Sequence, residues 1–503
     1  MTAAIDRDDI ERFRAAVARR LGLQFDETRV GFLGEVLQRR LTRMGGCAAA
    51  YLHELETGAA TAEPALLAQE LTVGESYFFR NSEQFHALAD IVVPERMRKA
   101  GATKRLRILS AGCASGEEPY SIGILLREAI PEPEWTIEVR AVDLNPLALE
   151  RAMRARYSSW ALRETPLEIQ RKWFRPEGRD LALDDAARIA VQFHEQNLAV
   201  DDARFWQPQV FDVIFCRNVL MYFSPDQAGA LLSRIARALQ AGGYLFLGHA
   251  ETLRGISDDF HLRHTHGTFY YQLKDIDQYA PSRPSRAAVA AIPAGAGDSP
   301  DVGASWVEVI GAASDRVTAL AAGSKASAPV RLGQSPRREL ATAIELLRTE
   351  RFAEALACVR SLPPAAARDP DVLLLTAALL AHSGEPAAAE QTCRRLLLID
   401  ELNAGAHYVF ALCREAAGDR SGAVEHDRVA AYLDSAFAMP RLHLGLLARR
   451  AGDREAARRE LGQALILLRR EDASRLLLFG GGFSRDALLA LCGSALRDCG
   501  GEP

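Results

Sequence analysis

Apolar residues recur at two different periods along the 503-residue chain, and the change of period divides it. Near the start, Ile10, Phe13, Val17 and Leu21 share one helical face behind the acidic residues Asp6, Asp8 and Asp9. Val30, Leu33, Leu37, Leu41 and Met44 repeat the spacing on a second helix, which Gly45 and Gly46 are expected to end. Arg39, Arg40 and Arg43 lie off that stripe, on a basic face. From about residue 86 the period shortens. Apolar runs at 107–111, 137–142, 210–216 and 244–248 predict strands, each but the last followed by a loop and a helical stretch. Alternating β and α units predict a mostly parallel, doubly wound sheet. Residues 261–264 and 268–273 predict an antiparallel finish.

Residues 276–335 hold much Ala, Pro, Ser and Gly and few large apolar side chains. Such a stretch cannot bury enough surface to offset its ordering entropy, so it reads as a flexible linker with one short helical segment at 306–310. Beyond it the helical period returns with a repeat. Gly384, Gly418 and Gly452 are spaced by 34 residues, as are Ala355, Ala389, Ala423 and Ala457. That is the period of the tetratricopeptide (TPR) repeat, a helix pair that buries its apolar face only by stacking on neighbours. The Gly is expected to let one helix end close against the next, and the Ala to sit where the two cross. Residues 400–403 and Pro440 are expected at repeat boundaries. Glu350 replaces the Gly of the first repeat, and the last helices, to about Cys499, are expected to cap the array. The expected domains are thus 1–85 (all-α), 86–275 (α/β), 276–335 (linker) and 336–503 (an all-α TPR solenoid).

Composition narrows the function classes. Apolar residues make up 48% and charged residues 25%, with a net charge of −5, so no global basic field draws the chain to nucleic acid. There is no run of about 18 uncharged apolar residues to insert into a membrane, and MTAAIDRDDIERF has no signal-peptide core. None of the eight cysteines stands in C-x-x-C spacing. A reduced, cytoplasmic chain without a structural metal is expected.

The chemistry concentrates in RLRILSAGCASGEEPYSIGILL. A strand runs into Gly112-x-Ala114-x-Gly116 and then a helix, where glycine permits a tight turn and close approach of a ligand. A dinucleotide would put its pyrophosphate on that helix N-terminus, but Glu117 and Glu118 stand there and would repel it. A cationic ligand suits them better, and S-adenosylmethionine (SAM) carries a sulfonium, an ammonium and no phosphate. For one of the two acids, service to the helix dipole alone is an equally good reading. Asp143 ends the next strand, where a carboxylate can accept both hydroxyls of a ribose.

Three further strings, TVGESYFFRN (72–81), FDVIFCRNVLMYF (211–223) and GYLFLGHAE (243–251), join SAGCASGEEPYSI and AVDLN. Together, in order and spacing, they resemble the chemotaxis receptor methyltransferases of the CheR family over about residues 1–275. The resemblance implies a Rossmann-like SAM-dependent methyltransferase fold with an N-terminal helical domain. It implies methyl transfer to glutamate side chains of membrane chemoreceptors, leaving S-adenosyl-L-homocysteine. It implies cofactor contacts at Gly74, Ser76, Arg80, Gly112, Gly116, Glu117, Asp143, Asn197, Leu198, Arg217 and Asn218, and catalytic roles for Arg80, Tyr222 and Arg217. Gly74 and Ser76 stand where the family more often has Asn and Thr, and Ala250 where GHSE is commoner. The basic face at Arg39, Arg40 and Arg43 would steer acidic receptor segments, and an insertion at about 157–195 is where some relatives hold a receptor tail. A CheR-like domain followed by TPR repeats also resembles methyltransferases of alternative chemosensory systems, such as the Wsp system of biofilm formation.

A glutamate carboxylate is ionised at neutral pH, so its methylation needs no general base. Arg80 can hold the carboxylate through its planar fork and Tyr222 can donate to one oxygen. Cys113, Cys216 and His249 read as structural. The repeats read as a docking surface for an unidentified protein or peptide. The rival readings are a SAM-binding scaffold acting through its repeats, and a methyltransferase for small molecules or nucleic acid.

Overall fold

The structure, a computed structural model, describes residues 5–44, 47–59, 62–72, 76–274, 336–349, 351–363 and 366–501. The linker at 276–335 with its 306–310 segment, and Gly45, Gly46, Gly74 and Glu350, lie outside the described residues. The described residues up to 274 belong to one compact unit and those from 336 to another.

The first unit opens with α1 (Arg7–Leu21), α2 (Val30–Met44), α3 (Ala48–Thr57) and α4 (Glu63–Leu71). Asp6 caps α1, its carboxylate accepting the Asp9 N–H (2.8 Å), and Gly22 ends it at φ +79°. The predicted stripes meet in one core with Phe13, Val17, Leu21, Leu33, Leu37 and Leu41, joined by Tyr51, Leu52 and Leu67 from α3 and α4.

The basic face of α2 is corrected at Arg40. Its side chain is buried in a forked pair with Glu63 (2.7 and 2.8 Å), and Tyr51 Oη donates to the same carboxylate (2.8 Å). Arg39 and Arg43 both reach Glu70 (2.9 and 3.3 Å). The two acids come from α4, so a feature that looks like a free basic surface on one helix is largely neutralised by another.

Next come α5 (Ser82–Ala87), a π-helical turn (Leu88–Val92) and α6 (Val93–Ala100), then the α/β body. Its strands are β1 (Arg105–Ala111), β2 (Thr136–Asp143), β3 (Arg156–Tyr157), β4 (Phe174–Glu177), β5 (Asp180–Leu183), β6 (Val191–Glu195), β7 (Phe211–Cys216), β8 (Leu239–Leu247), β9 (Phe260–Thr265) and β10 (Thr268–Leu273). Its helices are α7 (Glu117–Ala129), α8 (Pro146–Arg154), α9 (Leu167–Trp173), α10 (Asp185–Arg188) and α11 (Pro225–Ala238). The main sheet runs β6-β2-β1-β7-β8-β10-β9. Its first five strands are parallel and the last two antiparallel, as the alternating pattern predicts for all but β6, which no apolar run announced. The order reverses between β1 and β7, which opens a crevice at their carboxyl ends. β8 starts five residues before its apolar run. Residues 241–243 stay in the strand, with a register irregularity between Phe211 and Val213 of β7. A second, three-stranded antiparallel sheet, β3-β5-β4, falls inside the 157–195 insertion and has no signature in the apolar pattern.

The second unit holds helix pairs: α12 (Pro336–Arg348) with α13 (Phe352–Arg360), α14 (Pro370–His382) with α15 (Pro386–Leu397), α16 (Ala404–Ala416) with α17 (Arg420–Leu433), and α18 (Ala438–Arg450) with α19 (Arg454–Leu468). Two more follow, α20 (Ala473–Phe479) and α21 (Arg485–Asp498). Ala355, Ala389, Ala423 and Ala457 are fully buried, consistent with close crossings. The glycines do something else than expected. Gly384, Gly418 and Gly452 take φ +77°, +82° and +81°, and a Cβ on any of them would meet nothing within 4 Å. They are there for the left-handed turn, not for space. After each, the next N–H reaches back five residues, from Glu385 to Leu380 (2.9 Å), Asp419 to Arg414 (2.9 Å) and Asp453 to Ala448 (3.0 Å), which closes the helix end. Asn403 caps α16 at a repeat boundary, whereas Pro440 lies within the first turn of α18, where no N–H is needed.

Candidate functional site

The crevice at the switch point holds a cavity of about 500 Å³. Its floor is the turn after β1. Gly112 takes φ +77° and a Cβ there would lie 2.5 Å from Val219 Cγ2, so only glycine fits. Asp143, at the tip of β2, accepts the Ala114 N–H (2.8 Å) and the Asn145 N–H (2.8 Å). Burial pushes its carboxyl up, and these donors oppose the shift. Each oxygen retains acceptor capacity for a ligand hydroxyl.

Of the two acids opening α7, Glu118 lines the cavity and Glu117 does not. Glu117 is buried and receives the Ser115 hydroxyl on both oxygens (2.9 Å each). Gly116 also stands off the cavity: at φ +94°, its Cβ would lie 2.8 Å from Ala152 Cβ, so it serves the packing of α7 against α8. Glu118 accepts from Ser110 Oγ (2.7 Å) and faces Arg217 Nη1 at 3.4 Å. Burial pushes the Glu118 carboxyl up and the Arg217 guanidinium down, each resisted by the other's charge.

Arg217 follows β7 and is buried. Its Nη2 donates to the Arg80 carbonyl (2.5 Å) and to Asn81 Oδ1 (2.6 Å), while its Nε has no hydrogen-bond partner. It therefore ties the loop after β7 to the Phe-Phe-Arg-Asn turn. That turn is backbone-strained: Phe79 and Asn81, on either side of Arg80, take φ +56° and +62°. The Phe79 N–H donates to Ser121 Oγ (3.0 Å), which locks the turn to α7. Arg80 projects into the cavity with its guanidinium 5.6 Å from the Tyr77 ring centre.

The N-terminal helices close the other side. Leu21 and Leu23 line the cavity, and Gln24 N–H donates to the Tyr222 carbonyl (2.8 Å). Asn197 spends its side chain on this seam, donating to the Arg20 carbonyl (3.1 Å) and accepting the Ala199 N–H (2.8 Å).

The fold thus brings Ser76, Arg80, Gly112, Asp143, Asn197, Leu198, Arg217, Asn218 and Tyr222 around one cavity. Cys113 lines it too, with Cys216 buried nearby in β7; burial raises both thiols well above their ordinary range, which suits packing residues. His249 is exposed on a turn and is not in the lining.

Sequence reasoning missed four contributors. Thr72 and Tyr77 flank Ser76 in the lining. Arg163, from the insertion, lines the cavity with its guanidinium 3.8 Å from the Tyr77 ring centre and 4.6 Å from that of Trp160; nothing in its local sequence announces it. Glu251 does not touch the cavity but its carboxylate accepts N–H donors from Gly248 (2.8 Å), Asn218 (2.7 Å) and, weakly, Met221 (3.4 Å). It holds the loop bearing Arg217, Asn218 and Tyr222, and its signal was the final letter of GHAE.

The donor set suits SAM. Half-buried acids at Glu118 and Asp143 match a cation and a ribose, the guanidinium of Arg217 lines the same cavity, and apolar walls at Leu21, Leu144, Leu198 and Val219 suit a flat base. Among the described residues no group of three or more His, Cys, Asp or Glu could hold a metal, and no helix is long and apolar enough to cross a membrane.

Comparison with known proteins agrees. Residues 74–269 match the CheR methyltransferase SAM-binding domain. Chemotaxis protein methyltransferase 1 of Pseudomonas aeruginosa is 32% identical over 252 residues, which span 49% of this chain and 85% of that protein. Chemotaxis protein methyltransferase 2 of Vibrio cholerae is 33% identical over 269 residues, 52% of this chain and 92% of that protein. These relatives match about half of the chain. A crystal structure of MamA overlays 33% of this chain and 91% of its own at 14% identity, with a TM-score of only 0.25. A cavity at the switch point whose donors suit SAM, four of the five family strings lining it and relatives matched over most of their length make this chain a SAM-dependent protein methyltransferase of the chemotaxis methyltransferase (CheR) family.

Proposed function

We propose that the enzyme methylates the γ-carboxylate of glutamate side chains on membrane chemoreceptors, from the cytoplasmic side, and that its helical repeats dock a protein partner. The observation that carries the reading is Arg80. It projects into the cavity between two strained residues and forms no ion pair with any described residue. A planar guanidinium held in this way suits an incoming carboxylate.

SAM supplies, when bound, an electrophilic methyl carbon on a sulfonium, and leaves as S-adenosyl-L-homocysteine. The chain has three tasks. Asp143 and Glu118 bind and orient the cofactor's hydroxyl and cationic groups. Arg80, with Tyr222 donating a hydrogen bond, turns one carboxylate oxygen of the substrate toward the methyl group. Leu21, Leu23 and Phe223 keep water out, which strengthens the charge interactions inside. No side chain needs to remove a proton, because the substrate glutamate is already ionised. This fits a cavity lined, among the described residues, by no histidine.

Incubation with methyl-labelled SAM and receptor-bearing membranes should label a receptor band, and alkali should release the label. Arg80→Ala should abolish labelling while calorimetric SAM binding stays within about threefold, because the backbone of Arg80, not its side chain, carries the contact to Arg217. Alkali-stable label, or loss of SAM binding together with activity, would refute the assignment.

A further inference from the structure

The first helix of a stacked pair usually keeps one face toward the groove of the array. Here those faces are covered. In α16, residues 404–411 and Cys413 are all buried. In α14 eight of the thirteen residues are buried, from Val372 to Leu380.

Neighbouring repeat helices bury most of this surface, and α20 covers a further part of it. It touches α12 and α14, and its last residue reaches α16 and the start of α18. The Phe479 ring stands edge-on to Tyr408, 5.8 Å between ring centres, and lies 5.0 Å from that of Phe437. Gly405 makes room for it: a Cβ there would lie 2.8 Å from Phe479 Cζ. His382 Nε2 bonds to the Leu478 carbonyl (2.9 Å). Leu476, Leu478 and Phe479 are all buried. At the other end of the helix, Arg475 pairs with Asp434 and lies over the Phe437 ring.

One short helix therefore crosses the first helices of successive pairs in the way a bound peptide would. Its seven residues are too few to be helical alone, so the groove gives it its fold. It is followed by Gly480, Gly481 and Gly482, the last two at φ +63° and +84°, and by Phe483, which is exposed. That is the attachment of a tethered ligand rather than of a pillar of the array.

We propose that residues 473–479 are an internal ligand of the repeat groove, exchanged for a partner protein that presents a short helix of the same chemistry: an arginine for Asp434, leucines, and a phenylalanine four residues after the arginine for the Tyr408–Phe437 pocket. The proposal rests on the repeats being a docking module. It is independent of the methyl transfer, and either can fail alone. The covalent tether competes at an effective concentration in the millimolar range, so the closed groove rejects a dilute partner and opens only to a concentrated or co-recruited one.

The test uses the full chain and a labelled synthetic peptide spanning residues 470–484. Phe479→Ala in the protein should bind the peptide about tenfold or more tighter than the unaltered chain does. The same peptide carrying Phe479→Ala or Arg475→Glu should bind neither. Equal affinities for the two proteins, or no binding to a Phe479→Ala protein that melts as the parent does, would overturn the proposal. Hydrogen exchange on the unaltered chain decides the matter even where the variant fails to fold. Amides of 476–480 should exchange at least about tenfold faster than those of α14 and α16. Exchange in step with those helices would make α20 a permanent part of the fold and overturn exchange with a partner. A concentration-dependent dimer formed by swapping α20 would overturn the external partner in favour of a second copy.

Discussion

Replacing Glu251 by alanine removes the acceptor that holds the active-site loop, without touching the cavity. The carboxylate takes two short backbone N–H bonds, from Gly248 (2.8 Å) and Asn218 (2.7 Å), and a longer one from Met221 (3.4 Å). Each buried donor left without a partner costs about 1–3 kcal/mol. Water entering the vacated space recovers part of this, so about 2–4 kcal/mol of stability should be lost. The positional effect is larger than the energetic one. Asn218 sits at φ +58°, a conformation that the Glu251 bond helps to hold, between Arg217 and Tyr222. A shift of about 1 Å in a positioning loop can cost about a hundredfold in rate. The expected result is a kcat lowered about a hundredfold with SAM affinity changed much less, because Asp143 and Glu118 are held by other elements. Glu251→Gln keeps one oxygen able to accept both short bonds and should lie much closer to the parent. Denaturant melts followed by tryptophan emission suit the measurement, since Trp135, Trp160, Trp173 and Trp206 all lie in the first unit. An alanine variant with parental melt and kcat, or a glutamine variant as damaged as the alanine one, would refute the positioning role.

Arg40→Ala leaves Glu63 buried without its cation and should cost about 3–5 kcal/mol in a melt of the first unit, while KM for receptor stays near the parent value; a raised KM at unchanged stability would restore a receptor-steering role. Gly112→Ala drives a Cβ to 2.5 Å from Val219 at a positive φ; it should lose about 1–3 kcal/mol and weaken SAM binding by calorimetry, and unchanged binding would show that the turn is not a cofactor floor. In the repeats, burial pushes the Asp427 carboxyl up, against the opposing contact with His443. Burial pulls His443 down, but its bonds to Asp427 and Glu415 more than reverse this and leave it raised. This pair thus binds protons more tightly folded than unfolded, so its own contribution to stability is greatest in mild acid and falls as pH rises through the histidine range, by at most about 1.4 kcal/mol per pH unit per proton. His407 and His426, both pulled down by burial, contribute the opposite slope, so the test is a difference: between about pH 5 and about pH 8 the thermal midpoint of the Asp427→Asn chain should fall less, or rise more, than that of the parent, and identical profiles would contradict this.

Much of the fold was legible in the pattern of residues because the causes are local. Amphipathic spacing in α1 and α2, apolar runs for β1, β2 and β7, and glycines recurring every 34 residues each answer to a nearest-neighbour rule. Where local rules were the wrong guide, the causes differed. Arg40 looked exposed because Glu63 and Tyr51 come from other helices. Gly384, Gly418 and Gly452 were read as space-savers, but the backbone conformation needed them. The three-stranded sheet of the insertion was invisible because its strands have two to four residues each and too few apolar positions to show a period.

By itself the sequence determined the class of chemistry: a glycine turn opened by acids, an aspartate at the next strand tip, and strings that belong to one methyltransferase family. These are short-range features, since each is a few residues that need only a strand and a turn beside them. Which side chains meet was settled only by the tertiary fold. Glu118 rather than its neighbour Glu117 faces the cavity because a helix turns its side chains by about 100° per residue, and the packing of α7 sets the phase. Arg80, Arg163 and Arg217 come together from segments far apart in the chain, and residues 473–479 fill a groove built by helices up to 137 positions earlier (473 − 336). No spacing rule reaches that far. Such contacts exist only once stacking and burial have folded the chain back on itself.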